Sequence, residues 1–460
     1  MDSPEPLLST KLVFPLRPEP WLERSRLRFP AHLPRLVTLI APAGYGKTSL
    51  MADWAQTVTR AGWLTLDHGD NDPRRCLRHF AAAFARADAT LGDDLERLRA
   101  GETTLVRVLA AWVNRLCDAE PLTLFVDDLQ TVDNPEVQSA LAWLVEHQPP
   151  PLTLVLGSRH ELPFPVSRLR AQRRLREFHA GELRLTAEEL PTFCELMLPG
   201  RLSVAHQALL LERTEGWIGG LQLALSALEG EPDAEAFLSG FAGDDCHVTD
   251  FLADEILEGC PYSLLDFMLQ TAVIDRFNPD LCDGLTGYAD SRLMIDELVR
   301  RNLFVQALDH RREWFRYHPL LLSYLRKQLQ EERPRLAAEL HRRACQWLHL
   351  QGQTQAAVDQ SLKAQALESE DLPPVPVDET CDAPVAQPAP RFSRKESQVA
   401  RFILQGWSSP EIAEALCLSL STIKTHTQNI YAKLGVNRRL HAIQRLQQVR
   451  WPDGKCVEAG

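Results

Sequence analysis

The chain has 460 residues, of which 45% are hydrophobic and 24% charged, and a formal net charge of −12. Its length predicts about three domains, and its composition is typical of soluble globular proteins, which excludes a mainly disordered or collagen-like chain. The most apolar stretch, residues 36–43, is far shorter than the roughly 20 residues of a membrane-spanning helix. The acidic N-terminus has no apolar segment behind it, so no signal peptide is predicted. Ten cysteines without CxxC spacing predict free thiols and a cytoplasmic protein.

The first elements in chain order form a phosphate-binding motif. Residues 36–40 are an apolar run that predicts a strand, and a loop of small residues leads from it to Gly46, Lys47 and Thr48 at the start of a helical pattern. This strand–loop–helix order is what a P-loop requires. Glycines let backbone N–H groups close on phosphate oxygens, and the helix dipole favours the same anion. We therefore expect Lys47 to contact the β- and γ-phosphates of ATP and Thr48 to ligate Mg²⁺.

Two carboxylates follow a second apolar run, and an arginine follows a third. Residues 122–126 lead to Asp127 and Asp128, and residues 152–156 lead toward Arg159. Ligands of open parallel sheets bind at the carboxyl ends of the strands. Asp127 is therefore predicted to hold Mg²⁺ and Asp128 to position or activate the attacking water, as the two catalytic residues. Arg159 either reaches the γ-phosphate or is a surface arginine.

Helical stretches alternate with these apolar runs. Residues 73–87 and 106–117 have helical periodicity and lie between the phosphate-binding motif and Asp127. Strands that alternate with helices predict a parallel sheet with helices on both faces.

Charge divides the chain into an acidic body and a basic C-terminal block. Residues 391–450 carry 10 Lys and Arg but 3 Asp and Glu, a net charge of +7, and the remainder carries −19. A basic module on an acidic body suggests a polyanionic partner. Residues 367–391, just before the module, are Pro-rich and lack periodicity, which predicts an extended linker.

The basic block shows four helical patterns with marked turns. Ser393 with Glu396, and Ser408 with Glu411, form capping boxes at two helix starts. The apolar positions that we expect to form one core are Val399, Phe402, Ile403, Ile412, Ala413, Leu416, Ile423, Ile430, Leu434, Leu440, Ile443 and Leu446.

Two of these helices, joined by residues 417–421, form a helix-turn-helix pattern. The second would enter the major groove of double-stranded DNA, where Lys424 suits phosphate or guanine and Gln428 suits adenine. Arg438 and Arg439 flank it as contacts to the DNA backbone. The alternative is a small helical protein-binding module.

These motifs carry a resemblance to a known family. Residues 392–446 closely resemble the LuxR-type DNA-binding domain, in the segments EIA at 411–413, TIKTH at 422–426 and NIYAKLGV at 429–436. The N-terminal part is similar to the large ATP-binding LuxR regulators of the MalT-like group, within the STAND class of signalling ATPases, in APAGYGKT at 41–48, WLTLD at 63–67 and DD at 127–128. The DNA-binding residues implied are Thr422, Lys424, Thr425, His426, Gln428, Asn429, Lys433, Arg438 and Arg439.

The resemblance also implies nucleotide contacts outside the P-loop. Arg159 stands where the family places a sensor arginine, and a winged-helix histidine touches the nucleotide in relatives of this class, which makes His318 a candidate. A packed or capping role for His318 is the alternative. The nucleotide-binding residues predicted are Ala43, Gly44, Tyr45, Gly46, Lys47, Thr48, Ser49, Arg159 and His318.

The fold class predicted is multidomain: an α/β P-loop NTPase domain, helical and winged-helix domains, and a C-terminal all-α LuxR-type helix-turn-helix. The predicted boundaries are 1–165 for the P-loop domain, 166–235 for the helical domain, 236–330 for the winged-helix-like domain, 331–366 for a single helical-repeat-like pair, 367–391 for the linker and 392–450 for the DNA-binding domain. The family usually carries many tandem helical repeats that bind an inducer. Because a single pair cannot bury both its faces, this pair is expected to pack on the ATPase body or to cap it.

The resulting hypothesis is an ATP-dependent, DNA-binding transcriptional regulator, an activator in which ADP and ATP with Mg²⁺ control self-association and promoter binding. Hydrolysis would be slow and would reset the switch. Two alternatives remain open: a P-loop NTPase enzyme with an accessory nucleic-acid-binding tail, and a constitutive DNA binder with a structural ATP site.

Overall fold

The computed structural model describes residues 7–30, 34–89, 105–117, 119–231, 233–241, 246–257, 260–369, 392 and 394–404, and in the C-terminal segment residues 412, 416, 423, 426–427, 430–431, 433–434 and 445–446. They fall into two compact units. The first comprises Met1–Leu252 and Ile295–Tyr324, and the second Ala253–Met294 and Leu325–Gly460.

A five-stranded parallel sheet forms the centre of the first unit. Its strands are β1 Leu36–Ile40, β2 Ala61–Thr65, β3 Leu122–Asp127, β4 Leu152–Ser158 and β5 Leu175–His179. They lie in the order β2-β3-β4-β1-β5, and every pair is parallel. The parallel sheet expected from the sequence is confirmed. β4 runs two residues beyond the apolar run. The edge strand β5, which has only two apolar residues in the sequence LREFH, was not predicted.

Helices cover both faces of this sheet. The first four are α1 Lys47–Ala55, α2 Pro73–Ala87, α3 Leu105–Leu116 and α4 Pro135–Glu146. On one face, Val126 and Leu154 pack with Phe80, Trp112 and Leu141 from α2, α3 and α4 in one buried cluster. This clustering is what places α2–α4 on one side, because side chains alternate between the faces of a strand.

The opposite face packs against α1. Trp54 lies with its ring centroid 5.4 Å from that of Phe29 and 5.3 Å from that of Phe178 on β5. Phe29 in turn lies 6.2 Å from Phe125 on β3. The aromatic rings therefore fix α1, and with it the loop that precedes it, over the sheet.

The chain continues through mostly helical elements after β5. The helices up to the second sheet are α5 Ser167–Ala171 (before β5), α6 Ala180–Leu183, α7 Leu190–Met197, α8 Val204–Thr214, α9 Ile218–Leu228, α10 Ala234–Gly240, α11 Cys246–Phe251, α12 Tyr262–Thr271, α13 Pro279–Thr286 and α14 Ser291–Arg300, with a π-helical turn at Leu252–Ile256. Strands β6 Val305–Ala307 and β7 Phe315–Tyr317 form an antiparallel hairpin. The remaining described helices are α15 Pro319–Glu332, α16 Pro334–Leu350, α17 Thr354–Ser369 and α18 Arg394–Leu404.

The second unit contains the expected helix pair, formed by α16 and α17. His341 of α16 and Gln360 of α17 are 2.6 Å apart (Nδ1 to Oε1). On its other side α16 packs on α13, where Arg343 Nη1 donates to the Leu285 carbonyl at 2.9 Å. A Cβ at Gly284 would lie 3.0 Å from Trp347, so this helix crossing uses a residue without a side chain. Within this unit, then, α13 supplies the surface on which the pair packs.

The C-terminal helices share one buried core, as their apolar positions predict. The fully buried members are Val399, Ala400, Ile403, Ile412, Ile423, Ile430 and Leu446. Phe402, Leu416 and Leu434 pack against it in partly buried positions. Ala413, Leu440 and Ile443 lie outside the described residues. Across the part of the chain that the structure describes, no helix combines the length and apolarity needed to span a membrane.

A buried ion cluster ties the N-terminal segment to the sheet domain. Lys11, in the 3₁₀ turn Ser9–Leu12, pairs with the carboxylate of Asp70 and lies 3.2 Å from that of Asp67. His79 Nδ1 of α2 lies 2.9 Å from the other oxygen of Asp70. Burial would raise the pKa of Asp70, but hydrogen bonds from His79, Lys11 and the Asp67 backbone outweigh it and hold that pKa below its ordinary value.

This cluster generates a stability prediction. Replacing Asp70→Asn removes the buried anion of the Lys11 ammonium and leaves it the half-exposed carboxylate of Asp67. The substitution should lower the free energy of unfolding by about 3 kcal/mol at pH 7. Because the folded pKa of Asp70 is depressed, its stabilisation is present above the unfolded pKa of about 4 and is lost as the pH falls through the folded value. Urea unfolding at pH 7 and at acidic pH measures both effects.

The control is Asp53→Asn, since Asp53 pairs with Arg17 at 3.2 Å in an exposed position. Exposed pairs stabilise by less than about 1 kcal/mol. Equal losses in the two variants would contradict the importance of the buried cluster.

Candidate nucleotide-binding site

The loop between β1 and α1 has the backbone of a phosphate-binding loop. Gly44 and Gly46 have φ of +76° and +73°, in the left-handed region that disfavours side chains. Gly46 is the N-cap of α1, which begins at Lys47. The first N–H groups of a helix have no partner within it, so this end offers donors and a positive dipole to an anion. The loop therefore fits a phosphate.

Lys47 is buried within this loop. Its Nζ donates to the carbonyls of Ala41 at 2.7 Å and Pro42 at 2.9 Å. The pKa of Lys47 is lowered to about 8, mainly by burial and also by Arg159, against the opposing effects of Asp127 and Asp128. The charges of Lys47, Asp127 and Arg159 thus act on one another at one place.

The carboxyl ends of β1 and β3 bring together the two groups predicted to hold Mg²⁺. Thr48 Oγ1 donates to Asp127 Oδ2 at 2.5 Å. Asp127 is 1% exposed, and burial followed by the neighbouring Asp128 raises its pKa, against the opposing effects of Thr48 and Lys47. A hydroxyl and a carboxylate at this distance are the oxygen donors that Mg²⁺ prefers, so the pair fits that ion.

Gly157, near the end of β4, makes room for this carboxylate. A Cβ at Gly157 would clash with Asp127 Oδ1 and lie 2.9 Å from Met51 Sδ. The sequence analysis missed this residue, although a glycine inside an apolar strand signals close approach of another group.

Asp128 and Arg159 are joined through Gln130, which the sequence analysis also missed. Asp128 has φ of +57°, and its Oδ1 accepts a hydrogen bond from Gln130 Nε2 at 2.8 Å. Gln130 Oε1 accepts one from the Arg159 backbone N–H, also at 2.8 Å. The single side-chain amide of Gln130 therefore bonds to both Asp128 and Arg159.

Trp217 contacts the phosphate-binding loop from the start of α9. Its Nε1 donates to the Ala43 carbonyl at 3.0 Å, and the Gly219 N–H donates to the Gly44 carbonyl at 2.8 Å. A Cβ at Gly44 would come within 2.6 Å of Trp217 Nε1. The indole is fully buried, and its ring centroid is 5.1 Å from that of Phe304.

His318 lies behind Trp217 rather than in the loop. Its ring centroid is 5.9 Å from that of Trp217. The Leu320 N–H donates to Nδ1 at 3.3 Å, and Nε2 lies 2.9 Å from the Thr214 carbonyl. Burial lowers the pKa of His318 to about 4, so the ring is neutral near pH 7 and carries its proton on Nε2. Both nitrogens are engaged by the backbone, as in a packed, capping histidine.

Two other predicted nucleotide-binding residues, Tyr45 and Ser49, are buried or half-buried. Tyr45 is buried, 5.9 Å between ring centroids from Phe304, and burial raises its pKa. Ser49 is half-buried in the first turn of α1. Glu215, whose charge acts on Tyr45, accepts hydrogen bonds at both oxygens from Arg316 on β7, at 2.6 and 3.0 Å.

Of the predicted DNA-binding residues, the structure describes His426 and Lys433. Lys433 Nζ donates to Glu396 Oε2 at 2.6 Å, and the Glu396 side chain is almost fully buried. Lys433 thus holds helices of the domain together, and Glu396, expected in a capping box with Ser393, is its partner. His426 is half-buried. The residues outside the described part are Thr422, Lys424, Thr425, Gln428, Asn429, Arg438 and Arg439.

Three protein families match successive parts of the chain. The AAA ATPase domain matches residues 24–156, the MalT winged helix domain residues 253–337, and the bacterial regulatory proteins of the luxR family residues 390–446. The order agrees with the ATP-binding and DNA-binding ends expected from the sequence.

Curated relatives include the HTH-type transcriptional regulators MalT of Klebsiella pneumoniae, 32% identical over 366 residues, and of Cronobacter sakazakii, 32% identical over 372 residues. Each alignment covers 78% of this chain and 41% of the relative, so the chain spans less than half the length of the regulators it matches. Among solved structures, a STAND protein with a tetratricopeptide repeat sensor from Pyrococcus horikoshii matches with 15% identity and a TM-score of 0.36, over 94% of this chain and 58% of the other.

The three family matches and the identity to MalT regulators agree with the geometry of the phosphate-binding loop and with the C-terminal helical core. The chain belongs to the MalT-like family: it carries an AAA-type P-loop ATPase domain, a MalT-type winged helix domain and a LuxR-type helix-turn-helix domain.

Proposed function

We propose that this chain is an ATP-dependent transcriptional activator in which bound nucleotide controls self-association and promoter binding. The observation that carries the proposal is the convergence of Lys47, Thr48, Asp127 and Arg159 at one sheet edge, in a chain that also matches the luxR family. The four residues suit a nucleoside triphosphate with Mg²⁺, and the luxR-type domain suits double-stranded DNA.

Each residue at the sheet edge has a defined task in this proposal. Lys47 exchanges its bonds with the loop carbonyls for the β- and γ-phosphates. Thr48 and Asp127 hold Mg²⁺, which when bound neutralises charge on the phosphate oxygens. Asp128 orients water, and Arg159 contacts the third phosphate, so that ATP and ADP interact differently with the site. Such a difference in affinity is the condition for any nucleotide switch.

His318 and Trp217 connect the loop to the hairpin of β6 and β7. For His318 to touch a nucleotide, it must exchange a bond with Thr214 or Leu320 for one with the ligand. We propose that this exchange accompanies the transition between an ADP-bound closed monomer and an ATP-bound, self-associating form. Hydrolysis is slow and resets the closed form.

Self-association strengthens DNA binding through avidity. Two linked DNA-binding domains on neighbouring half-sites bind as one unit, because the second contact is made at high effective concentration. The proposal therefore needs no change within the helix-turn-helix itself.

Substituting Lys47→Ala tests the phosphate site. Loss of charge-assisted hydrogen bonds of about 1.5–3 kcal/mol should weaken the binding of a fluorescent ATP analogue by about 10- to 100-fold. Lys327→Ala, which removes a half-exposed lysine paired with Glu331, is the control and should bind as the wild type does. Equal affinity of Lys47→Ala and the control for the ATP analogue would contradict the assignment of the phosphate site.

Self-association is tested by light scattering after size-exclusion chromatography, with ADP and with a non-hydrolysable ATP analogue plus Mg²⁺. Assembly should occur with the analogue in the wild type and fail in Lys47→Ala. An unchanged mass in both nucleotides would reject nucleotide-driven assembly. Fast turnover without DNA binding would instead indicate a P-loop enzyme. Unfolding of the Lys47→Ala variant would indicate that the ATP site is structural.

DNA contact is tested through the salt dependence of binding to a short duplex. Each phosphate contact contributes about −0.9 to the slope of log K against log salt. Arg438→Ala should therefore reduce the slope by about 0.9, whereas Arg335→Ala, an exposed arginine on α16, should leave it unchanged. The same change in both variants would show only a general effect of net charge.

A further inference from the structure

We propose that Gln130 is a positioning residue that couples the carboxylate of Asp128 to the backbone at Arg159. Neither the family resemblance nor the matched relatives assign it a role. The inference rests on the nucleotide site proposed above, because Asp128 and Arg159 act there. Gln130 connects the end of β3, at Asp128, to the end of β4, at Arg159.

The side-chain amide of Gln130 acts as a hydrogen-bond donor to one residue and as an acceptor from another. Nε2 donates to Asp128 Oδ1 and Oε1 accepts from the Arg159 N–H, each at 2.8 Å. A side-chain amide can donate to a carboxylate through its nitrogen and accept from a backbone N–H through its oxygen at the same time. A movement of either strand end therefore breaks or bends one of these two bonds unless the other end follows.

The loop that carries Gln130 is anchored independently of that side chain. Asn71 Oδ1 accepts from the backbone N–H groups of Asp133 at 2.7 Å and Asn134 at 2.8 Å, and Asn71 Nδ2 donates to the Thr131 carbonyl at 2.9 Å. Gln138 Nε2 donates to the Val132 carbonyl at 2.8 Å. Removing the Gln130 amide thus leaves the loop held by other contacts, and the loss is confined to Asp128 and Arg159.

Electrostatics places the two coupled residues in the same site. Arg159 and Asp128 have opposite effects on the pKa of Lys47, so both charges lie close enough to act on the ammonium of the phosphate-binding loop. A third phosphate that contacts Arg159 would shift the residue whose backbone Gln130 holds. The orientation of Asp128 then depends on whether that phosphate is bound.

In hydrolysis, a water oxygen bonds to the terminal phosphorus, the bond from that phosphorus to the bridging oxygen breaks with its electron pair leaving on ADP, and a carboxylate such as Asp128 accepts a proton of the water. Misplacing that carboxylate slows the step without weakening phosphate binding by Lys47. Gln130 therefore acts on turnover through Asp128, while the contacts of Lys47 with the phosphates are unchanged.

The first test needs no ligand. Residue-resolved hydrogen exchange reports whether the Arg159 N–H has an acceptor. Gln130→Leu removes the acceptor and should speed exchange at Arg159 by at least 10-fold. Gln130→Glu keeps an acceptor oxygen and should preserve protection, although it loses the donor to Asp128. Unchanged exchange at Arg159 in Gln130→Leu would overturn the contact.

The second test is single-turnover hydrolysis of bound ATP, with nucleotide affinity measured in parallel. Both Gln130 variants should hydrolyse about 10-fold more slowly than the wild type, and Gln130→Leu should bind ADP, which lacks the third phosphate, with wild-type affinity. Gln138→Leu, which loses a hydrogen bond in the same loop without touching Asp128, is the matched control and should hydrolyse normally.

The outcomes separate this inference from the function proposed above. Hydrolysis at the wild-type rate in Gln130→Leu, or an equal loss in Gln138→Leu, overturns the positioning role. Wild-type hydrolysis no faster than in Lys47→Ala also overturns it, while nucleotide binding stands. If the wild type binds no nucleotide, the proposed function fails, and the exchange result still decides whether Gln130 holds Arg159.

Discussion

The parallel alignment of β1, β3 and β4 is the constraint on which the nucleotide site depends. Ile40 at the end of β1 pairs with Ser158 at the end of β4, and β3 is in register with β4 along its length. Side chains that lie more than 100 residues apart in sequence therefore emerge at one sheet edge. The hydrogen bonds of the sheet fix the ends of β1 and β3, and the turn at Gly44 and Gly46 then brings Lys47 within electrostatic reach of Asp127.

Burial gives this edge its electrostatic character. Lys47 and Asp127 are both nearly inaccessible to water, and burial shifts both pKa values toward the neutral forms. Asp127 opposes the shift in the pKa of Lys47, and Lys47 together with the hydrogen bond from Thr48 opposes the shift in the pKa of Asp127. In the function proposed above, a triphosphate with Mg²⁺ would replace these partners with stronger ones, so binding would exchange partners rather than add them.

Local sequence patterns predicted the parts of this molecule that depend on neighbouring residues. The apolar run of β1, the glycines of the loop and the helical face of Val399 and Ile403 are all read from a few adjacent positions. Trp217 and Gln130 were missed because their roles arise from contacts across the fold. The Trp217 indole meets a carbonyl 174 residues away, and nothing near it in sequence indicates that partner. Lys433 shows the same limit: the family resemblance implied a DNA contact, and nothing near Lys433 in sequence indicates its ion pair with the buried Glu396, 37 residues earlier.

The first unit is discontinuous in sequence, and this has a consequence for synthesis on the ribosome. Trp217 is in contact with the phosphate-binding loop, but its other neighbours Phe304 and His318 belong to the later segment Ile295–Tyr324. At roughly 5–20 residues per second, the intervening residues delay that segment by several seconds after Leu252 has been made. During this interval the nascent chain exposes the apolar surface around Trp217. The ATPase unit can therefore complete its core only after most of the winged-helix region has been translated.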